Sequence, residues 1–499
     1  MSPKFWHIAI SGIVALAATG CGPGRTEISP TRVDGVSTLD PSPQSLSWGA
    51  CEGVPSSAGF QCATLKVPLD YAKPGGESIG LALVRRPASD RNNRIGSLVF
   101  NFGGPGGSGV STLLDAAGAF STLNRRYDLV SFDPRGVDRS SGIRCLNSAE
   151  LERYLASEPS ADTAEETHLL KGFAKACEQN AGHILPYVGT LNAARDLEAM
   201  RAALGDRHLN YLGFSYGTHL GALYATLFPK QSGRMVLDSA LDPSVGMMET
   251  ARTQIRGFQK AYENYLAACV KQPKGCPLGK TTSAANTAVL KLIDRLEAHP
   301  AEAGGRPVTA TVARTAVAQA LYSQMAWPLL TEALHQAITK NDMSGLQALA
   351  DQYGGRQPDG SYSTLQMSLP SILCADTTAR PSIEEAEKVA RDLKPDSPIF
   401  AITAASSGIC SVWPVPGEAT NKHIDASGAN PIVVVGVTHD PATPYQWAPA
   451  LTAQLRSAVL LTLKGEGHGA YGQNNPCIDN AVNSYLLEGK VPAKGLVCS

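Results

Sequence analysis

The sequence has little charge and no excess of either sign. Only 17% of its 499 residues are charged, and 43 Lys plus Arg face 44 Asp plus Glu. No global field of the kind that holds nucleic acid or an anionic surface can arise from that balance. Zinc-type spacing is missing among the cysteines, since only Cys269 and Cys276 lie close together and no paired His motif accompanies them. The glycine-rich stretch NFGGPGGSG from Asn101 lacks the lysine of a phosphate-binding loop. Beyond the first twenty residues no run reads as a membrane span. Nucleic acid, metal and cofactor are therefore not expected as partners. Wholesale disorder is also excluded, because 43% of the residues are hydrophobic.

What is present begins with an export signal over 1–20, in which Lys4 precedes a short apolar run rich in small residues. The run ends in AATGC, a pattern similar to the bacterial lipobox, with Ala18 where leucine is more usual. On that reading Cys21 carries the lipid and anchors the protein to a membrane without spanning it. The alternative is ordinary signal cleavage after Ala15–Ala17. Cysteine arithmetic favours the lipid, because setting one of the 11 cysteines aside leaves an even set suited to an oxidising, exported setting. Sequence neighbours suggest Cys51 with Cys62, Cys145 with Cys177, Cys269 with Cys276, Cys374 with Cys410, and Cys477 with Cys498, although connectivity stays open at this stage. Residues 21–48, rich in Gly, Pro and Ser, read as a flexible tether.

From residue 49 to 244 short apolar runs ending in glycine-rich loops alternate with helical spacing, as in GSLVFNFGG, YDLVSFDPRG, AARDLEAMRAALG, LNYLGFS and RMVLDSA. That alternation predicts an α/β fold with a mostly parallel sheet. Between 245 and 425 the pattern becomes helical, in QIRGFQKAYENYLAACV, TAVLKLIDRLEAH and WPLLTEALHQAIT, which predicts an inserted helical cap. The sheet pattern returns over 426–499 with PIVVVGV and SAVLLTLKG.

Chemistry concentrates at GFSYGTHLGALYATLFP, from Gly213. A strand ends at Leu212, small residues flank Ser215, and a helix starts at once, which is the arrangement of a nucleophile elbow. A serine hydroxyl needs a base, and in this chain order the base comes last. After PIVVVGVTHDPATP the only histidine is His468, at a strand end between glycines. Asp440 stands between Ser215 and His468 and is the expected acid, with Asp238 as its rival one strand earlier; His439 reads as a loop residue. Tyr216 N–H and Gly104 N–H are the expected oxyanion donors, since glycines let backbone approach a reacting carbonyl. Thr443 is expected to support the Asp440 loop, and Asp133 and Arg135 to be structural.

NFGGPGGSG, SFDPRGVDRSS, GFSYGTHLGALYATLFP, MVLDSALDP, ILCADTT, THDPATPYQWA and GEGHGAYG, in that order, resemble the secreted tripeptidyl aminopeptidase family of bacterial α/β-hydrolases, related to prolyl aminopeptidases. The resemblance implies an α/β-hydrolase fold with a helical cap, a Ser215–His468–Asp440 triad, and removal of short peptides from free N-termini. Recognition of the substrate amine calls for carboxylates facing the pocket, for which Asp376 and Glu249 are candidates. An esterase or lipase with the same triad is the alternative, and a catalytically silent binding lipoprotein is a third reading. Neither the length of peptide released nor the oligomeric state is legible in the sequence.

Overall fold

The structure, a computed structural model, describes residues 45–159, 163–420 and 424–499. The leader, Cys21 and the tether up to residue 44 lie outside the described residues. A nine-stranded sheet organises the rest. Its strands are β1 (Gln61–Pro68), β2 (Ser78–Arg86), β3 (Gly96–Asn101), β4 (Tyr127–Phe132), β5 (Leu209–Phe214), β6 (Ser232–Asp238), β7 (Ile432–His439), β8 (Ala458–Glu466) and β9 (Leu496–Cys498). Their spatial order is β1-β2-β4-β3-β5-β6-β7-β8-β9. β2 runs antiparallel to both of its neighbours, and every other pairing is parallel.

The central strands are apolar on both faces because helices cover both. β3 and β4 are buried at every residue, as parallel strands between two helical layers must be. Alternate side chains feed two separate cores: Leu98 and Phe100 enter one with Phe214 and Val435, while Val99 enters the other with Tyr211 and Val434. The edge hairpin of β1 and β2 instead interleaves buried positions with half-buried and exposed ones.

Twelve of the protein's helices are α1 (Gly109–Ala116), α2 (Thr163–Ala181), α3 (Thr190–Ala203), α4 (Tyr216–Leu227), α5 (Met247–Val270), α6 (Thr282–Ala298), α7 (Ala310–Leu321), α8 (Trp327–Lys340), α9 (Ser344–Gly354), α10 (Leu365–Ala375), α11 (Ile383–Leu393) and α12 (Pro476–Glu488). Between β6 and β7 the chain leaves the sheet for α5 to α11 and a small hairpin, Ala301–Ala303 with Arg306–Val308. α12 shows why such segments start and stop where they do. Asn475 accepts the N–H groups of Cys477 and Ile478, Pro476 occupies the first turn, and Gly489 ends the helix at φ +74.

Five disulfides join Cys51–Cys62, Cys145–Cys177, Cys269–Cys276, Cys374–Cys410 and Cys477–Cys498, the neighbour pairing read from the sequence. Among the described residues no helix is long and apolar enough to cross a membrane.

The strand order reverses at β3, which sends its chain to β4 on one side while β5 lies on the other. Such a reversal opens a crevice at the carboxyl ends of the two strands. The loops leaving β3 and β5 meet there, with the rings of Phe102 and Phe214 stacked 5.9 Å apart.

Candidate active site

Ser215 sits between β5 and α4 at φ 55°, ψ −123°. That conformation is strained for a residue with a side chain and persists only where the surroundings enforce it. The surroundings here are hydrogen bonds and close packing. Ser215 N–H donates to the Asp238 carbonyl at 2.9 Å, and its own carbonyl accepts from Thr218 N–H at 2.8 Å. Gly217 must be glycine, because a Cβ there would lie 2.6 Å from the Asn101 carbonyl oxygen. The β3 loop presses equally close: a Cβ on Gly103 would stand 2.6 Å from the Phe214 carbonyl oxygen and 3.0 Å from the Ser215 Cβ.

His468 lies in the turn after β8, and its Nδ1 stands 2.9 Å from each carboxylate oxygen of Asp440. The carboxylate also accepts from Ala442 N–H at 2.9 Å, from Thr443 N–H at 2.8 Å and from the Thr443 hydroxyl at 2.8 Å. Converging donors of this kind fix the carboxylate in place. With Nδ1 committed to Asp440, the imidazole carries its proton there and offers Nε2 as the base. Nε2 is buried and has no partner among the described residues.

Asp238, the rival acid, meets the histidine loop through backbone instead of through the ring. Its carboxylate accepts the N–H groups of Ala470 and Tyr471, and burial pushes it up to about 6. His439 is exposed and pairs with Glu466 at 2.7 Å. Asp133 accepts from Ser108 and from Val110 N–H at the start of α1. Arg135 is fully buried in a two-pronged pair with Asp196, at 2.6 and 2.7 Å.

The N–H groups of Tyr216 and Gly104 have no hydrogen-bond partner among the described residues, whereas Gly103 N–H is taken by Asn101 Oδ1 at 3.0 Å. Two contacts with the helical segment were not legible in the sequence. The Tyr322 carbonyl accepts His468 N–H at 2.8 Å, and its ring stands edge-on to the imidazole at 5.4 Å. Gln254 Nε2 donates to the Ala442 carbonyl beside Asp440 at 2.7 Å.

Comparison with known proteins locates this constellation. Residues 397–498, which include Asp440 and His468, match the family described as TAP-like protein. Serine protease Hip1 of Mycobacterium tuberculosis is 39% identical, with 91% of each chain covered. Carboxylesterase B of the same organism is 38% identical over 91% of this chain and 90% of its own. Tripeptidyl aminopeptidase of Streptomyces lividans is 31% identical over 88% of this chain and 84% of its own. The chain belongs to the tripeptidyl aminopeptidase-like family of α/β-hydrolases.

In this family member two adjoining, partly open cavities lie between the helical segment and residues 152–169, and neither is lined by Ser215, His468 or Asp440. One, of about 210 Å³, is bounded by Tyr154, Arg306, Val312, Asp351, Tyr353 and Tyr362. The other, of about 80 Å³, is bounded by Ile255, Phe258, Ala318, Tyr353 and Phe400 and is mainly apolar. Phe258 and Tyr353 both contact the Tyr322 ring, at 5.6 and 6.4 Å, so Tyr322 links the cavity wall to the imidazole.

The two carboxylates considered for amine recognition lie in different settings. Asp376 ends α10, where Thr190 donates to it through both N–H and hydroxyl and also bonds the Tyr216 hydroxyl. Burial raises it to about 7, partly offset by the Thr190 bonds. Glu249 is exposed on the first turn of α5. Among the described residues no group of His, Cys, Asp and Glu has the arrangement of a metal site.

Proposed function

We propose that the protein is a serine exopeptidase that hydrolyses peptide bonds near free N-termini through Ser215, His468 and Asp440. The observation that carries the reading is the imidazole held by both Asp440 oxygens, with its Nε2 unpartnered, in a fold that anchors the strained Ser215 to the same strand end as the histidine loop. Ser215 Oγ attacks the carbonyl carbon while His468 Nε2 takes its proton, and Asp440 stabilises the imidazolium that forms. The oxyanion is received by the N–H groups of Tyr216 and Gly104. His468 then returns the proton to the leaving amine, and water, activated by the same base, releases the acyl-enzyme.

The choice of peptide rests on the protease and the tripeptidyl aminopeptidase among the relatives. Of the two candidate carboxylates, Glu249 is exposed and among the described residues accepts only a long bond from the Thr253 hydroxyl at 3.4 Å, whereas Asp376 is engaged by Thr190. The esterase reading is kept for one reason, the similarity to carboxylesterase B over nearly the whole chain. Peptide arylamides with free and with acetylated N-termini, assayed beside short acyl esters, separate the two. Cleavage lost on acetylation supports the exopeptidase; esters hydrolysed with no arylamide turnover overturn it. Labelling by a fluorophosphonate, abolished in Ser215→Ala, tests the nucleophile and excludes a silent binding protein.

Export and anchoring through a lipid on Cys21 belong to the same proposal. Five disulfides use the other ten cysteines, which fits an oxidising compartment. Mass spectrometry of the mature N-terminus decides between a diacylated Cys21 and cleavage after Ala17.

A further inference from the structure

Asp238 is completely buried, and its two ends serve different parts of the site. Its carbonyl accepts Ser215 N–H at 2.9 Å. Its carboxylate accepts Ala470 N–H at 3.0 and 3.1 Å and Tyr471 N–H at 2.8 Å. The next residue, Ser239, is held at φ +55, and its hydroxyl accepts Gly469 N–H at 2.7 Å. Three successive N–H groups following His468 are thus received by two successive residues at the end of β6. Asp440 fixes the imidazole ring, but the backbone that carries the ring is fixed by Asp238 and Ser239.

We propose that Asp238 is a positioning residue whose ionised carboxylate locks the histidine loop to the strand end that holds Ser215, so that turnover requires both His468 and Asp238 to be deprotonated. The inference rests on the Ser215–His468–Asp440 reading above and adds a second titrating group to it. An anionic acceptor binds N–H groups more strongly than a neutral acid does. Protonation of Asp238 therefore loosens the loop at the moment when the imidazole must be aligned. The charge also faces the imidazolium formed during attack. Two titratable groups bear on Asp238: a cationic His468 favours its ionisation and Asp440 opposes it. Burial, the largest influence, pushes the carboxyl up to about 6, which brings the switch close to working pH.

The test is the acid limb of kcat/KM against pH for wild type, Asp238→Asn and Ser239→Ala, with fluorophosphonate labelling alongside. Two required deprotonations give a wild-type limb that steepens toward about two decades per pH unit at low pH. Asp238→Asn keeps an acceptor but cannot ionise. Its limb should fall to about one decade per unit, and its kcat at pH 8 should drop about tenfold or more with KM nearly unchanged, the size of one lost charge-assisted bond. Ser239→Ala should lower kcat without changing the slope. A one-proton wild-type limb, or an Asp238→Asn profile parallel to wild type, overturns the proposal. If Asp238→Asn does not fold, the wild-type limb still decides. A wild type that no fluorophosphonate labels removes the underlying reading, a different failure from a labelled enzyme with a one-proton limb.

Discussion

Replacing Gly103 with alanine tests whether the β3 loop sets the geometry in which the substrate oxygen is received. Gly103 has φ +92, a conformation that costs a residue with a side chain about 1–2 kcal/mol. The added Cβ would also meet the Phe214 carbonyl oxygen at 2.6 Å, the Ser215 Cβ at 3.0 Å and the Tyr216 nitrogen at 3.3 Å. None of these atoms is the end of a flexible side chain, so the loop itself must retreat from the elbow. The neighbouring Gly104 N–H moves with it, and a misplaced oxyanion donor costs ~10²–10³ in kcat. Binding of the ground-state carbonyl depends far less on that donor, so KM should change little. Gly205→Ala supplies the control. Gly205 has φ +75 with nothing within 4 Å of a built Cβ, so this variant takes the conformational penalty alone and should lose about 1 kcal/mol of stability at unchanged kcat. The assay is kcat and KM on the best arylamide, with thermal melting for all three proteins. A folded Gly103→Ala enzyme whose kcat stays within about threefold of wild type, a change of less than 1 kcal/mol in barrier, refutes the reasoning.

Asp440→Asn removes the charge opposite the imidazolium while leaving an acceptor for Thr443, so kcat should fall by as much as about 10⁴-fold with little change in melting temperature; a loss below tenfold would mean that another group orients His468. Asp376→Asn removes a carboxyl that burial has raised from the ordinary range to about 7. Such a group stabilises the fold below its unfolded pKa and loses that contribution as pH rises through about 7, with a ceiling of roughly 4 kcal/mol before allowance for partial solvent screening. The variant should therefore melt higher than wild type at pH 8 and not at pH 5, and identical differences at both would count against a titrating Asp376. Replacing Cys374 and Cys410 with alanine opens a 36-residue separation and should cost about 3–4 kcal/mol by chain entropy, read as a lower denaturant midpoint. An unchanged midpoint would show that the Thr190–Asp376 contact holds this segment without the bridge.

The sheet was legible in the sequence because its strands are buried on both faces and end in glycine loops, a signature that needs no tertiary information. The elbow was legible for the same kind of reason, since strand, small residues and helix are contiguous from Leu209 to Leu227. Two elements, one helix and one strand, left no clear signal in the sequence. α2 alternates Glu, Lys and Ala with few apolar anchors, and its burial depends on Cys145–Cys177 and on packing against residues 401–412. β9 is three residues long and pairs with β8 only because α12 and Cys477–Cys498 bring it there. Tyr322 and Gln254 could not be found in advance, because each acts on a residue far along the chain, Tyr322 on His468 and Gln254 on Ala442. Ser239 left a trace in the sequence, as it directly follows Asp238, but its role appears only once the histidine loop lies across the strand end.

Stability and activity should respond to pH in opposite senses. Asp238 is raised by burial from the ordinary carboxyl value of 3.8 to about 6. Its contribution to folding is thus fully present below the unfolded value and is lost as pH rises through about 6, a ceiling of roughly 3 kcal/mol. Asp376 acts in the same direction one unit higher. Catalysis asks for the reverse, because a base must be neutral to accept the Ser215 proton and the clamp at the end of β6 must be charged to hold the histidine loop. Both demands come from one cause: carboxylates that face a transient imidazolium work best where water is excluded, and exclusion of water is what makes their charge costly at rest. Thermal melting and kcat/KM measured across one buffer series from pH 5 to pH 8 should therefore run in opposite directions, with melting temperature rising as activity falls. Maxima that coincide would show that the buried carboxylates stay ionised throughout, and the pH argument for Asp238 would fall with them.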